Sequence, residues 1–415
     1  MKEILHGSFI IFIFKILGAF SLFATYMLIP QYYSVEVFGV FNLIFALLMT
    51  ATVFSRIGLD TYIVRVVSSL ENKEEIGLFL KSIIKILFFT SLVVTIIIIL
   101  LSPLLNNYIF KSIDASGYLI GLAIVILPYT FFNVFVEVLR GLDEIKFYSL
   151  FRNLSQNFLI ALFLLISIVS TKMYDPIYIL YGVILTITFF LFLTIFKFLK
   201  NKKIYLNKKG TYKKKILKHS YPMFLAASIM FLMSYIDSFM ISYYLNEYQV
   251  GIYNACISLS MILTFIPMAI GGYISPKISK AYSNDNSQEI KEVFRNSIKI
   301  IIVVTFPLFL IMYFFSNFFL TLFGEAFTIA TTTLLITNIA FLSEALTGPV
   351  GFILNMTDNQ HAFMKILLVA LLINILFNAL LIPIYGINGA AIALLLSMFF
   401  WTISSFIFLK MKRIV

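Results

Sequence analysis

Charge is scarce in this chain, and cysteine almost absent. Asp, Glu, Lys and Arg make up only 12% of its 415 residues, against about a quarter in a soluble domain. With 61% hydrophobic residues and a mean hydropathy of +1.00, a soluble globular fold is excluded. Cys256 is the only cysteine, which rules out an intrachain disulfide and any cysteine-held metal. The histidines His6, His219 and His361 are too scattered for a metal site. No glycine-rich phosphate loop, zinc-spaced cluster, Walker motif or nucleophile elbow is present, and no stacking motif for a nucleobase, so no nucleic-acid partner is expected.

What the chain does have is long apolar runs. Each is about 20 residues, the length a helix needs to cross a hydrocarbon core of about 30 Å. None shows the short alternating segments of an outer-membrane barrel. The first run, 8–30, is too long for a signal-peptide core and lacks a small-residue cleavage site, so it reads as a retained span. Helices are predicted at 8–30, 37–56, 83–103, 117–138, 148–170, 176–197, 220–245, 250–274, 297–316, 327–354, 363–382 and 388–409, twelve in all. The stretch 287–302 reads as an amphipathic segment on the inner surface ahead of the ninth span. Pro128, Pro267, Pro307 and Pro349 fall inside predicted spans and are expected to kink them.

Basic residues set the orientation. Lys197 to Lys218 holds ten of the 31 Lys and Arg residues and no acidic residue, so it is expected to stay on the cytoplasmic face. With the spans alternating about it, every basic residue except Lys15, Lys111 and Lys172 falls on the cytoplasmic side, which also receives both termini. The net charge of +12 is therefore mainly a topology signal. This hinge, 199–218, divides an N-terminal lobe, 1–198, from a C-terminal lobe, 219–415. Residues 36–70 align without a gap on 248–282, pairing Gly39 with Gly251, Asn42 with Asn254 and Thr52 with Thr264; later, Asp143 pairs with Asp358. Two six-helix lobes in the same orientation form a parallel repeat around a central cavity. The fold class is thus an all-α membrane protein.

Lys15, Asp237 and Glu344 lie well inside predicted spans. Each costs about 2.5–3.5 kcal/mol at a bilayer centre and should face protein or water. Ser234 shares a helix face with Asp237, Thr347 shares one with Glu344, and Asn374 and Asn378 form an i, i+4 polar pair. Two readings stay open for the carboxylates: buried pairs that hold helices together, or groups that take up a coupling proton or sodium ion. Lys15 either snorkels or faces an anionic substrate. Arg56, Arg140 and Arg152 lie near cytoplasmic ends of spans, as topology anchors or as the lining of a basic vestibule.

The segments YYSVEVFGVFNLIFALLMTATVFSRIGLD (32–60), SYIDSFMISYYLNEYQVGIYNACISL (234–259) and IPIYGINGAAIA (382–393) resemble the polysaccharide-transport family of the multidrug/oligosaccharidyl-lipid/polysaccharide (MOP) superfamily, to which the O-antigen flippases called Wzx belong. The resemblance implies an alternating-access transporter, not an enzyme, in the bacterial inner membrane. It would move an undecaprenyl-diphosphate-linked oligosaccharide to the outer leaflet, driven by a proton or sodium gradient and with no cofactor. Lys15, Arg56, Arg140 and Arg152 would then meet the substrate, and Asp237 and Glu344 the coupling ion. Membrane lipids are expected partners, with a polysaccharide polymerase and chain-length proteins as candidates, and the transporter is expected to act as a monomer. The competing readings are a multidrug or cation exporter of the same superfamily, and a membrane polymerase or glycosyltransferase, which the short outer loops disfavour.

Overall fold

The structure, a computed structural model, describes residues 2–70, 72–111, 113–206, 216–284 and 286–414. The middle of the basic hinge, 207–215, lies outside these, as do the side chains of Lys2, His6, Lys218 and His219. Among the described residues every regular element is helical, and twelve helical segments are long and apolar enough to cross a membrane.

The chain forms two compact units, Met1–Phe231 and Leu232–Val415. The first holds α1 (Lys2–Tyr32), α2 (Val35–Arg56), α3 (Leu59–Ser69), α4 (Lys73–Tyr108), α5 (Ser116–Gly141), α6 (Ile145–Ser149), a π-helical turn (Leu150–Ser155), α7 (Gln156–Val169) and α8 (Pro176–Asn201). The division falls inside α9 (Ile216–Tyr244). The second unit continues with α10 (Glu247–Ser260), a 3₁₀ turn, α11 (Phe265–Ser283), α12 (Ser287–Phe314), α13 (Ser316–Thr321), α14 (Thr331–Thr347), α15 (Val350–Met356), α16 (Gln360–Tyr385) and α17 (Ile387–Met411).

The repeat is visible in packing and in capping. In the first unit α2 packs on α4 and α5, α4 on α5, α5 on α8, and α7 on α8. In the second, α11 packs on α12, α10 and α12 on α14, α14 on α17, and α16 on α17. Span for span, these are the same partners. Ser34 and Asn246, two residues ahead of the aligned segment, each cap the following helix, accepting from Val37 N at 3.2 Å and Gln249 N at 3.0 Å. Asn42 and Asn254 each donate back to the carbonyl four residues earlier, Phe38 O at 2.7 Å and Val250 O at 2.9 Å. Asp143 and Asp358 both take positive φ after the fourth span of their unit, at 65° and 56°. The sixth spans end alike too: FLKNKKI (198–204) and FLKMKRI (408–414) turn through Lys203 and Arg413, both at φ 56°. There Ile204 and Ile414 donate to Leu199 O and Leu409 O, closing the αL cap that ends a helix.

Several boundaries differ from those expected. Residues 287–302 are not a separate surface segment but the first half of α12, which runs unbroken through the ninth span. No glycine or proline stands in that stretch to turn the chain, so the charged half simply extends the helix. The third span likewise begins at Lys73, where Asn72 caps it, and not at 83. The tenth, expected over 327–354, stops at Thr347: Gly348 takes φ 77° and Pro349 cannot donate a helical hydrogen bond, so α15 restarts the helix. Between spans two and three the apolar residues Leu59, Tyr62, Ile63, Val66 and Val67 bury one face of α3, which packs on α5.

Gly18 marks the tightest helix contact. A Cβ there would sit 1.8 Å from the carbonyl oxygen of Asn153 in the π turn, and Asn157 Nδ2 donates to Gly18 O at 3.2 Å. Gly182 in α8 has nothing within 4 Å of the same position. Gly18→Ala is therefore expected to lower the thermal-unfolding midpoint in detergent by several degrees. Gly182→Ala, which gains helix propensity of about 1 kcal/mol without a clash, should hold or raise it.

Candidate functional site

The first unit gathers the three arginines at one end of its bundle. α2 stops at Arg56 because Ile57 and Gly58 turn left-handed, at φ 46° and 71°. Glycine is required at 58, where a Cβ would lie 2.4 Å from Ser220 O at the start of α9. The turn brings Asp60 back beneath Arg56. Arg56, only 3% exposed, has its guanidinium held by Asp60 Oδ2 at 3.0 Å and by Thr52 O at 3.1 Å, and the Phe231 ring lies 5.8 Å from it.

α5 supplies a polar stripe at helical spacing: Tyr129, Asn133 and Glu137. Arg152 faces this stripe from the π turn, a local widening of the helix that often accompanies functional sites. Its Nη1 donates to Asn133 Oδ1 at 3.0 Å, and its Nε stands 3.9 Å from Glu137 Oε1. One turn on, Gln156 accepts from the Tyr129 hydroxyl at 2.8 Å. Arg140 Nη1 approaches Glu137 Oε2 at 3.6 Å, and its guanidinium lies 5.5 Å from the centre of the Tyr148 ring. Glu137 is thus flanked by two arginines from different elements with both contacts longer than 3.5 Å, and its buried Oε2 has no hydrogen bond within that distance among the described residues.

The arginines differ in access. The side chains of Arg140 and Arg152 are 53% and 39% exposed, that of Arg56 only 4%. Three guanidiniums face two carboxylates, Asp60 and Glu137, which leaves one positive charge in excess. The hinge is anchored at the same end, where Lys202 Nζ donates to Leu142 O at 2.7 Å and approaches Glu144 at 3.2 Å. Lys15 is exposed on α1, one turn before the Gly18 contact with the π turn.

The second unit holds a cluster of oxygens and amides. Asp237 of α9, 5% exposed, accepts from Tyr253 Oη at 2.8 Å and from Asn378 Nδ2 at 2.6 Å. Asn378 also donates to Asn374 Oδ1 at 2.9 Å, and Asn374 Nδ2 reaches Ser397 Oγ at 3.5 Å. The buried Asn378 Oδ1 has no hydrogen-bond partner among the described residues. Four helices therefore converge on one ring of polar atoms, an arrangement able to hold a proton or a small cation. Ser234, one turn before Asp237 on α9, is exposed. Glu344 is separate as well: it lies half-buried near the end of α14, where Thr347 donates to its backbone carbonyl at 2.9 Å.

The sequence singles out the three arginines, Asp237 beside Ser234, and Asn374 with Asn378 separately; it does not join Asp237 to the asparagines, and it passes over Glu137, Asn133, Gln156 and Tyr253. The i, i+4, i+8 stripe of α5 was the signal available. Glu137 lay one residue inside the predicted end of its span and so did not stand out as an intramembrane charge.

Residues 32–332 match the family described as polysaccharide biosynthesis protein. A probable low-salt glycan biosynthesis flippase, Agl15, of Haloferax volcanii is 27% identical over 165 residues, which cover 40% of this chain and 35% of that protein. The chain therefore spans about a third of the length of this curated relative. Among solved structures, a multidrug resistance MATE family transporter of the MOP superfamily, in an inward-facing conformation, matches with a TM-score of 0.78 and 14% identity, covering 95% of this chain and 94% of that one. The lipid II flippase MurJ, in an inward closed conformation, matches with a TM-score of 0.76 and 17% identity over 99% and 89%. At these identities the structures establish a shared fold. With the family match extending over residues 32–332 of the 415, the protein belongs to the family described as polysaccharide biosynthesis protein.

Proposed function

We propose that this protein is a secondary transporter that flips a lipid-linked oligosaccharide across the cytoplasmic membrane, with both termini and the lysine-rich hinge on the cytoplasmic side. The observation that carries this reading is the arginine group. A glycan joined to an isoprenoid lipid through a diphosphate presents two fixed negative charges beside a polar sugar. Arg140 and Arg152, half-exposed with Arg56 buried beneath them, meet the charge with planar donors suited to phosphate oxygens. Lys15 adds a fourth cation near the same end. A group with an excess of positive charge repels the cations that a drug exporter would carry, which disfavours that alternative. The named relative that is a probable glycan biosynthesis flippase supports the same choice.

In this reading the second unit supplies the coupling. Asp237, ringed by Tyr253, Asn374 and Asn378, offers a carboxylate and amide oxygens to a proton or sodium ion. Glu344, without an ion-pair partner among the described residues, is a second candidate.

Deletion of the gene should leave lipid-linked sugar stranded on the cytoplasmic leaflet, measured by its resistance to an externally added glycan-modifying enzyme. Full access to that enzyme would exclude the flippase reading. Lys15→Ala and Arg152→Ala should each cripple surface-glycan assembly while the protein remains in the membrane, and full complementation by either variant would remove that residue from the site. Asp237→Asn and Glu344→Gln should weaken the response of transport to imposed proton or sodium gradients in proteoliposomes. Unchanged transport at every gradient would make those carboxylates structural.

A further inference from the structure

Glu137 is the odd member of the arginine group. A carboxylate buried between two guanidiniums ordinarily forms short, bidentate hydrogen bonds with them. Here the contacts are 3.6 Å from Oε2 to Arg140 and 3.9 Å from Oε1 to Arg152, Arg152 spends its hydrogen bond on the neutral Asn133, and the buried Oε2 has no hydrogen bond within 3.5 Å among the described residues. The charged and titratable groups around Glu137 are Arg140 and Tyr129 on its own helix, Arg152 in the π turn, Arg56 on α2, Asp60 on α3 and Tyr148 on α6. Asp60 is engaged by Arg56 at 3.0 Å, so Glu137 alone balances the two accessible arginines.

We infer that Glu137 is the internal stand-in for the substrate's phosphates, surrendering Arg140 and Arg152 to an incoming diphosphate diester and taking one proton from cytoplasmic water as it does so. The inference rests on the arginine group being the substrate site. Charge balance carries it. Without substrate, the three arginines and two carboxylates in contact with one another sum to plus one; Lys15, exposed on α1, makes no contact with Glu137 and is not counted among them. A diphosphate diester brings two negative charges, which would leave minus one beside the buried Glu137 carboxylate. One proton on Glu137 restores neutrality, the cheapest state where charge is costly to bury. The side chain is 10% exposed, so it lies near enough to the surface to exchange that proton. Anion loading and proton uptake are then linked, and binding weakens as pH rises because each bound anion requires a proton that becomes scarcer.

The test uses the purified full-length protein in detergent micelles and UDP-glucose, a soluble diphosphate diester whose two phosphate charges do not titrate near neutral pH. Titration calorimetry in two buffers of different ionisation enthalpy counts the protons. The wild type should take up about one proton per UDP-glucose. Glu137→Gln should bind about tenfold tighter, within the range common for coupled sites, and take up none, whereas Glu137→Asp should regain the uptake. Binding without proton uptake by the wild type, or uptake that persists in Glu137→Gln, would overturn the role of Glu137 and leave the arginine site standing. If Glu137→Gln is not recovered, Glu137→Ala takes its place, and uptake that persists without the carboxylate overturns the role of Glu137. Failure of the wild type to bind UDP-glucose, at any pH at which it stays folded, would remove the site and the inference together.

Discussion

A guanidinium that cannot reach bulk water has to find its anion inside the protein, and much of the first unit follows from how Arg56 does so. Removing one partner of a buried ion pair costs about 3–5 kcal/mol, so the Asp60 contact at 3.0 Å fixes the chain near it. α2 must end at Arg56, two left-handed residues must follow, and α3 must leave in the direction that returns Asp60. Once α3 is aimed that way, its buried face meets α5. Gly58 is free of a Cβ because the backbone of α9 comes within 2.4 Å of where that atom would be. One buried charge thus determines a corner, a helix and a packing contact.

The same architecture carries opposite chemistry in its two halves. Asn42 and Asn254 make the same back-bond, and Ser34 and Asn246 the same cap, so the second and eighth spans begin alike. The first and fifth spans of each unit then diverge. In the first unit they meet as bare backbone, Gly18 against Asn153, with Asn157 bonding the glycine carbonyl. In the second they meet through side chains, Asp237 to Asn378. Close backbone contact leaves no room for a polar pocket at that seam, and the first unit carries its charges instead between α2, α5 and the π turn. The second seam is wide enough for a ring of oxygens. Duplication kept the frame and let each seam specialise.

Much of this was legible beforehand because the governing signals are one-dimensional. Apolar run length identifies a span, so twelve spans and the pairing of Asp143 with Asp358 could be read without coordinates, whereas the division of the chain falls at 231/232 inside α9 and not at the expected hinge, 199–218. What escaped was whatever depends on helix continuation or on which face meets which. The charged residues 287–302 looked like a surface segment because hydropathy drops there, but helix geometry is indifferent to hydropathy and α12 runs on. α3 was missed because its apolar stripe is too short to register as a span. Glu137 and Asn133 were missed because a position near a helix end is unremarkable by depth, and only the facing Arg152, brought round by the π turn, gives them significance.

The lengths of the polar contacts separate scaffold from site. Arg56 and Asp60 at 3.0 Å form a pair that an incoming anion gains little by breaking, since it would free a buried carboxylate to gain a guanidinium already satisfied. The contacts of Glu137 at 3.6 and 3.9 Å are too long for hydrogen bonds, and the arginines they concern are half-exposed. On the proposed function, a phosphate reaching Arg140 and Arg152 would exchange weak contacts for charge-assisted hydrogen bonds, and the difference would be free energy available for binding. Had Glu137 formed a tight bidentate pair, that difference would shrink toward zero. A binding site for an anion inside a membrane needs counter-charges to be assembled at all, and it needs them held loosely enough to be displaced. The tight pair meets the first need and the loose one the second.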